Sequence, residues 1–344
     1  MSNVTTHERP GVYSAYDASS VVDRTGGAKT VGLAARREGG DGQAYTLTRY
    51  EQAVNAFGQE DPVTKLVRIL FLNGAAAVVA VPVADESGYQ AAFDALALRE
   101  EIGVVVCDSA DLTVQQALRD SVKAASQARR ERVAVVCGVE GESVSALVSR
   151  AQGINDPRVV LAAPCGEGDG PSVAAAVAGA IAATTDPAVP LSGAELRGIG
   201  SLAEQYDDNE IDLLVRGGVT PLERVAGNVS VVRGVTTKTR EGEAEDFTWR
   251  ELTTILIVDD VIPAIRNSLR SKFQRAKNTE QSRGAIRSQV ILELENKLAR
   301  EIITGYENVT VTAKEDNPTV CLVDFSFTVA HGINQIWLTA HITV

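Results

Sequence analysis

Residues 75–83 read AAAVVAVPV, an apolar run with no polar interruption. Three more runs follow: GVVVC at 103–107, VAVVCGV at 133–139 and VVLAA at 159–163. A strand with one wet face alternates apolar and polar residues. A strand covered by helices on both faces reads as an unbroken Val/Ile/Leu/Ala run. Between the runs lie Ala-rich stretches with helical spacing, at 89–101, 112–130, 143–152 and 172–184. Asp111 before Leu112 and Gly141-Glu142 before Ser143 are suitable helix starts. Strand and helix therefore alternate, and residues 25–190 are expected to form an α/β sandwich on a mostly parallel sheet.

Beyond this block the pattern changes, and residues 191–330 are expected to be a second, α+β domain. Gly218-Val219-Thr220-Pro221 leads into a strand candidate at 229–232. Ile262, Ile265, Leu269 and Phe273 make one helical stripe, and Ile291, Leu294, Leu298 and Ile302 make another, with Gly305 as the expected helix stop. Val309, Val311 and Ala313 then alternate with threonines. Cys321, Val323, Phe325, Phe327 and Val329 alternate with polar residues in turn. Both are half-buried strands.

The two ends of the chain stand apart. Ile336, Leu338, Ala340, Ile342 and Val344 fall on even positions, whereas the preceding strand keeps its apolar residues on odd ones. Side chains alternate with a period of two, so one straight strand cannot change faces in this way. A break near Gly332 is required, and 331–344 is expected to be a separate strand, an arm or the last strand of the same sheet. Residues 1–24 have no helical periodicity and carry Pro10-Gly11 followed by Val12-Tyr13. They are either a loose tail or a strand that pairs elsewhere.

Composition excludes several functions. A chain of 344 residues suits two domains with extensions. Its net charge of −12 would repel nucleic-acid phosphates. No apolar run approaches the roughly 20 residues that span a bilayer, and residues 1–10 lack the apolar stretch of a signal peptide, so no direct membrane insertion is expected. The four cysteines form no CxxC pair, and three sit in or just after apolar runs as buried free thiols do, which suits a protein made in a reducing cytoplasm. All three histidines, His7, His331 and His341, lie in the terminal zones. The α/β block thus has no histidine for a catalytic triad or a metal cluster, and no cofactor is expected. Gly26-Gly27-Ala28-Lys29-Thr30 lacks the glycines of a phosphate loop. The stretch 166–171, GEGDGP, carries two acids and reads as a surface turn. Asp259-Asp260 reads as a helix N-cap rather than a metal site. A hydrolase or nucleotide-binding enzyme is the alternative, and it would have to rely on Cys107-Asp108 or Cys165.

One positive signal is charge. Between 261 and 287 lie Arg266, Arg270, Lys272, Arg275, Lys277, Arg283 and Arg287, with Glu280 as the only acid. Such a face is either simply solvated or docks on an acidic partner.

Finally, several segments resemble one family. Pro10-Gly11-Val12-Tyr13, TRYEQAVNAFG at 48–58, Gly218-Val219-Thr220, VVRGVTT at 231–237, LTTILIVDDVIPAI at 252–265 and the terminal strand together resemble the contractile phage tail sheath family, in order along the whole chain. The resemblance implies a subtilisin-like but non-proteolytic α/β domain. It also implies a structural subunit of a phage tail or tailocin, made in the bacterial host. Six-membered rings would stack helically around a tail tube protein, between baseplate and tail terminator proteins. In such a sheath, Val12 and Tyr13 at one end and Ile336, Leu338 and Ile342 at the other would be strands donated to neighbours. Val323, Phe325 and Phe327 would mark the acceptor strand. Arg266, Arg270, Lys272, Arg275 and Lys277 would face the tube.

Overall fold

The structure is a computed structural model that describes residues 28–242, 244–334 and 337–339. Its elements in order are β1 (Thr30–Arg36), β2 (Tyr45–Leu47), α1 (Tyr50–Phe57), α2 (Pro62–Leu72), β3 (Ala77–Val83), α3 (Tyr89–Ala97), β4 (Ile102–Cys107), α4 (Leu112–Gln127), β5 (Val133–Cys137), α5 (Val144–Ile154), β6 (Val159–Ala163) and α6 (Gly170–Ala183). There follow β7 (Glu195–Leu196), α7 (Asp208–Arg216), β8 (Val219–Val225), β9 (Asn228–Val231), β10 (Arg240–Glu241), β11 (Ala244–Glu245), α8 (Leu252–Phe273), α9 (Glu280–Ala299), β12 (Ile303–Lys314) and β13 (Asn317–Val329).

The apolar runs form the middle of a nine-stranded sheet of order β2-β3-β1-β4-β5-β6-β8-β9-β7. From β3 to β8 every pair is parallel, while β2, β9 and β7 add antiparallel edges. Both faces are buried, as expected. Val133, Val135 and Cys137 enter one core with α1, α2, α6 and the start of α8. Ala134 and Val136 enter the other, with α3, α4, α5 and α7. The helix starts are chemical. The Asp111 carboxylate accepts from Thr113 N and Val114 N, Ser143 caps α5, and Asp207 and Glu210 close a capping box on α7. Gly179 of α6 lets that helix press on α2: a Cβ there would lie 2.7 Å from Asn73 Cβ and 2.9 Å from Leu70 O.

Three expectations need correction. First, the sheet does not stop at 190. Thr220 of β8 pairs with Ala162 of β6, and β7–β9 complete the sheet, so the α/β unit runs to about residue 231. The signal was diluted because β8 carries Pro221, Glu223 and Arg224. Second, Asp259 and Asp260 do not cap a helix. α8 begins at Leu252, seven residues earlier, and continues through Pro263. Its first half is buried on all sides and shows no stripe. Third, Gly305 lies in β12. Glu301 (φ 57°) takes the left-handed position after α9, and Ile302 N then bonds Lys297 O. That conformation costs a non-glycine residue about 1 kcal/mol; burial of the adjacent Ile302 offsets it.

α8 joins two cores. Leu252, Ile255 and Leu256 belong to the sheet's core. Ile257, Val261, Ile265 and Leu269 belong to a separate core with α9, β12 and β13. At about 1.5 Å per residue this helix is roughly 33 Å long, a stiff connection between the α/β unit and the C-terminal module.

Candidate functional site

β12 and β13 form a two-stranded antiparallel ladder, pairing Tyr306 with Phe327, Val311 with Val323 and Ala313 with Cys321. The register slips between Glu307 and Thr310, where Asn308 (φ 56°) sits in a bulge. A hairpin alone is marginal in water. This one is held by its inner face: Val323, Phe325, Phe327 and Val329 pack on the α8–α9 core, and the Phe325 and Phe327 rings stack at 6.3 Å. These side chains nevertheless remain half-exposed, while Leu322, Asp324, Ser326 and Thr328 face solvent. Among the described residues neither outer edge of the ladder pairs with another strand. The main sheet differs: its edges, β2 and β7, are only three and two residues long.

The expected acceptor residues thus share one strand, with their side chains turned towards the helices. The expected arms are largely beyond view: Val12, Tyr13, Ile336 and Ile342 lie outside the described residues. β13 ends at Val329, short of Gly332, as the change of face requires. Residues 330–334 are irregular. A Cβ on Gly332 would lie 2.8 Å from Pro190 Cγ, so the chain passes close to the α/β unit there. Farther on, Trp337 and Leu338 are 90% and 91% exposed.

The basic residues split into two groups. Arg266 is only 7% exposed and pairs with Glu131 Oε1 at 3.4 Å, so it is not part of an open surface. Beside it Arg158 grips Asp259 with two hydrogen bonds of 2.7 and 2.8 Å, and Lys297 Nζ donates to Asp260 at 2.6 Å. Glu131 and Arg158 precede β5 and β6, so the first two pairs fasten α8 to the amino ends of the sheet. Burial pushes the Glu131 carboxyl up to about 9, opposed in part by the Arg266 guanidinium. Arg270, Lys272, Arg275 and Lys277 are exposed instead. They lie at the end of α8 and in the turn to α9, because α8 stops at Phe273. Lys272 Nζ donates to Gln289 Oε1 at 2.7 Å. Arg283 and Arg287 tie this end to the hairpin: Arg283 donates to Asn278, whose amide donates to Pro318 O, and Arg287 donates to Val309 O. Among the described residues Arg270, Arg275 and Lys277 have no acidic partner within 4.0 Å. Charge in the sequence groups Arg266 with this basic face, because nothing local reveals that Glu131, distant in sequence, packs over it.

The residues considered for catalysis are occupied structurally. Cys107 is buried and its thiol is pushed up to about 12 by burial. Asp108 accepts hydrogen bonds from the Tyr89 hydroxyl and Arg36 N. In the 166–171 turn, Glu167 accepts from the Ser201 hydroxyl. No group of three or more metal-ligating side chains occurs among the described residues, and no described helix is long and apolar enough to cross a membrane.

Two family models match this chain. The phage tail sheath protein central domain matches residues 83–237, and the phage tail sheath C-terminal domain matches 244–343. The chain belongs to the phage tail sheath family. The first match ends past the last strand of the large sheet, and the second begins ahead of α8. The tail sheath protein of Bacillus phage SP01 is 27% identical over 226 residues, covering 62% of this chain and 38% of that protein. The tail sheath protein of Mycobacterium phage Bxz1 is 25% identical over 324 residues, covering 86% of this chain and 53% of that one. The chain therefore spans between about a third and about half the length of these curated relatives. Among solved structures, the anti-feeding prophage helical sheath in its contracted state aligns with a TM-score of 0.72 at 15% identity, over 98% of this chain and 99% of that one. A sheath tail protein from Desulfitobacterium hafniense aligns with a TM-score of 0.68 at 11% identity, over 93% of this chain and 100% of that one. Both share the mixed α/β fold described above.

Proposed function

We propose that this chain is a structural subunit of a contractile tail sheath, in a phage tail or a tailocin. Its copies form six-membered rings stacked helically around a tail tube, bounded by baseplate and tail terminator proteins, and the sheath shortens to drive the tube through a target envelope. The work comes from a bistable assembly, not from a catalysed reaction. The α/β unit is the subtilisin-like sandwich of that reading, without a protease site. The observation that carries the proposal is the β12–β13 ladder: two long edges that are unpaired among the described residues, and a half-covered apolar inner face. Open edges recruit strands, because each unpaired backbone amide gains a partner. Arms around Val12 and Tyr13, and around Ile336, Leu338 and Ile342, are the strands proposed to fill them.

The test is electron microscopy of the protein expressed with the tube protein of its own particle. Striated tubes with sixfold symmetry are expected. Persistent monomers in the presence of assembled tube would remove the proposal.

The exposed cations at the α8–α9 turn are proposed to face the tube, with Arg266 withdrawn from that set. Each exposed pair contributes at most about 1 kcal/mol, yet the contacts repeat in every subunit. Replacing Arg270, Arg275 and Lys277 together by Glu is expected to leave the subunit's melting temperature within a few degrees of wild type and to abolish co-sedimentation with tubes. Raising the salt to 1 M, where screening acts within about 3 Å, is expected to release the wild-type sheath. Undiminished binding by the triple variant would place the tube elsewhere.

A further inference from the structure

The two ends of the parallel strands are unlike in charge. Helices that cover a parallel sheet run against its strands, so they begin at the carboxyl ends of the strands and finish at the amino ends. The turns at the carboxyl ends of β3 to β6 are 84–88, 108–111, 138–143 and 164–169. The segment 203–210 joins them through the bond from Ala203 N to Cys165 O. Together these five stretches hold twelve acidic residues and no lysine or arginine. Most of the acids are exposed. Some serve helix starts, where negative charge suits the dipole: Asp111 and Asp207 are caps. Among them Val139 is 51% exposed.

The amino end is built around one buried guanidinium. Arg132 is 2% exposed. Its Nε donates to Arg130 O at 2.9 Å, its Nη1 to Leu96 O at 2.8 Å and its Nη2 to Arg99 O at 2.8 Å. The planar fork thus ties the turn after α3 to the turn after α4 in a fixed geometry. What the tie displays is Leu98, 71% exposed, with Arg99 and Arg130 on the same two turns. Arg99 lies 3.8 Å from Glu101. Arg130 Nε is buried and makes no hydrogen bond. At this surface Arg99, Arg129, Arg130 and Lys123 outnumber Glu100 and Glu101. The remaining acids of the turns before β5 and β6, Glu131 and Asp156, are buried. Burial pushes both of their carboxyls up.

We propose that the surface of Leu98, Arg99 and Arg130 is a docking site, and that its occupant is the acidic carboxyl end of the sheet in a second copy of this chain. The inference rests on the sheath reading and names a contact within it. Charge selects the occupant. Two chains of net charge −12 repel one another in most orientations. Setting the cationic end of one against the acidic end of the next replaces repulsion by attraction, and it fixes which surfaces meet. Leu98 on one side and Val139 on the other supply an apolar centre inside a charged rim. The two surfaces differ, so the contact is head to tail. Each copy keeps one end free, and the contact repeats from copy to copy instead of stopping at a pair. A ring or a helix of subunits needs that repetition. The exposed cations of the α8–α9 turn are not part of this contact.

The test reverses each end separately in the full chain. One variant carries Arg99→Glu and Arg130→Glu. The other carries Glu86→Lys, Glu140→Lys and Asp208→Lys, three exposed acids spread along the acidic end. Light scattering in the presence of tube protein gives the concentration at which polymer first forms, and electron microscopy identifies the polymer. Each variant alone presents like charges at both ends and is expected to need about tenfold more protein than wild type, or to fail. An equal mixture of the two pairs every reversed end with an opposite one, and is expected to polymerise within about threefold of wild type. If a reversed variant misfolds, glutamine at the same positions replaces it, with a rise of about threefold expected. A variant that polymerises as wild type does, or a mixture no better than its components, would overturn the contact while leaving the sheath reading in place. Wild type that never polymerises would remove both.

Discussion

Deleting residues 336–344 is expected to leave a folded subunit with its thermal melt within a few degrees of the full chain, and to abolish polymerisation completely. None of the described residues of this segment, 337–339, belongs to the three apolar cores, so both units are expected to keep their packing without it. What it removes is a segment whose sequence pattern is that of a strand with one apolar face. Ile336, Leu338, Ala340, Ile342 and Val344 alternate with polar residues, which is the pattern that would continue the inner face of the β12–β13 ladder. Docked on a neighbour's open edge, it satisfies backbone amides of both chains and covers the exposed halves of Val323, Phe325 and Phe327. The effect is expected to be all-or-none because in the proposed sheath each subunit would be both donor and acceptor. Circular dichroism and electron microscopy of the truncated protein, beside the full chain, check the two halves of the expectation. Truncated protein that still builds full-length sheaths would end the arm model while leaving sheath function intact.

The parts legible in the sequence are those that local pattern controls. β4, β5 and β6 were readable because burial on both faces leaves no alternation to interpret, only an apolar run with a length. Likewise Asp111 was readable because a cap acts within its own turn. β1 was not, although it lies inside the sheet between β3 and β4: TVGLAAR holds a glycine and three small or polar residues where a strand former is expected. Gly32 packs closely there: a Cβ would meet Ile102 and Leu96 side-chain ends at 3.1 Å, and those ends would have to give by a few tenths of an ångström. The start of α8 was hidden for a related reason. LTTILIV is rich in β-branched residues, and Pro263 imitates a first-turn proline; packing in two cores overrides both. Charge was the least legible property. The basic stripe was visible, but only the fold shows that Arg266 turns inward to Glu131 while Arg270 faces solvent.

That inward turn leads to the largest stability effect. Asp259→Ala is expected to destabilise the protein by about 3–5 kcal/mol, because it leaves the Arg158 guanidinium buried without its carboxylate. The pair is well shielded, with side chains 6% and 8% exposed and two short bonds. Replacing both partners by apolar residues, Arg158→Met with Asp259→Leu, is expected to recover most of the loss, since the cost lies in the stranded charge. Glu131→Gln should behave otherwise. Burial raises the Glu131 carboxyl to about 9, so at pH 7 the neutral amide replaces a neutral acid, at a cost of about 1 kcal/mol or less. The sign follows from the direction of that shift. The folded state holds the proton more tightly than the unfolded chain, whose carboxyl titrates in the ordinary range. The stabilisation from protonation is therefore complete at low pH, declines as pH rises above the ordinary carboxyl range, and is gone above about 9. Glu131→Gln should remove this alkaline slope. Urea unfolding of the four proteins between pH 5 and 9 measures all of it. The clamp between α8 and the sheet would be refuted by an Asp259→Ala variant as stable as wild type. An unchanged alkaline slope in Glu131→Gln would show instead that Glu131 is ionised and that Arg266, not burial, sets its charge.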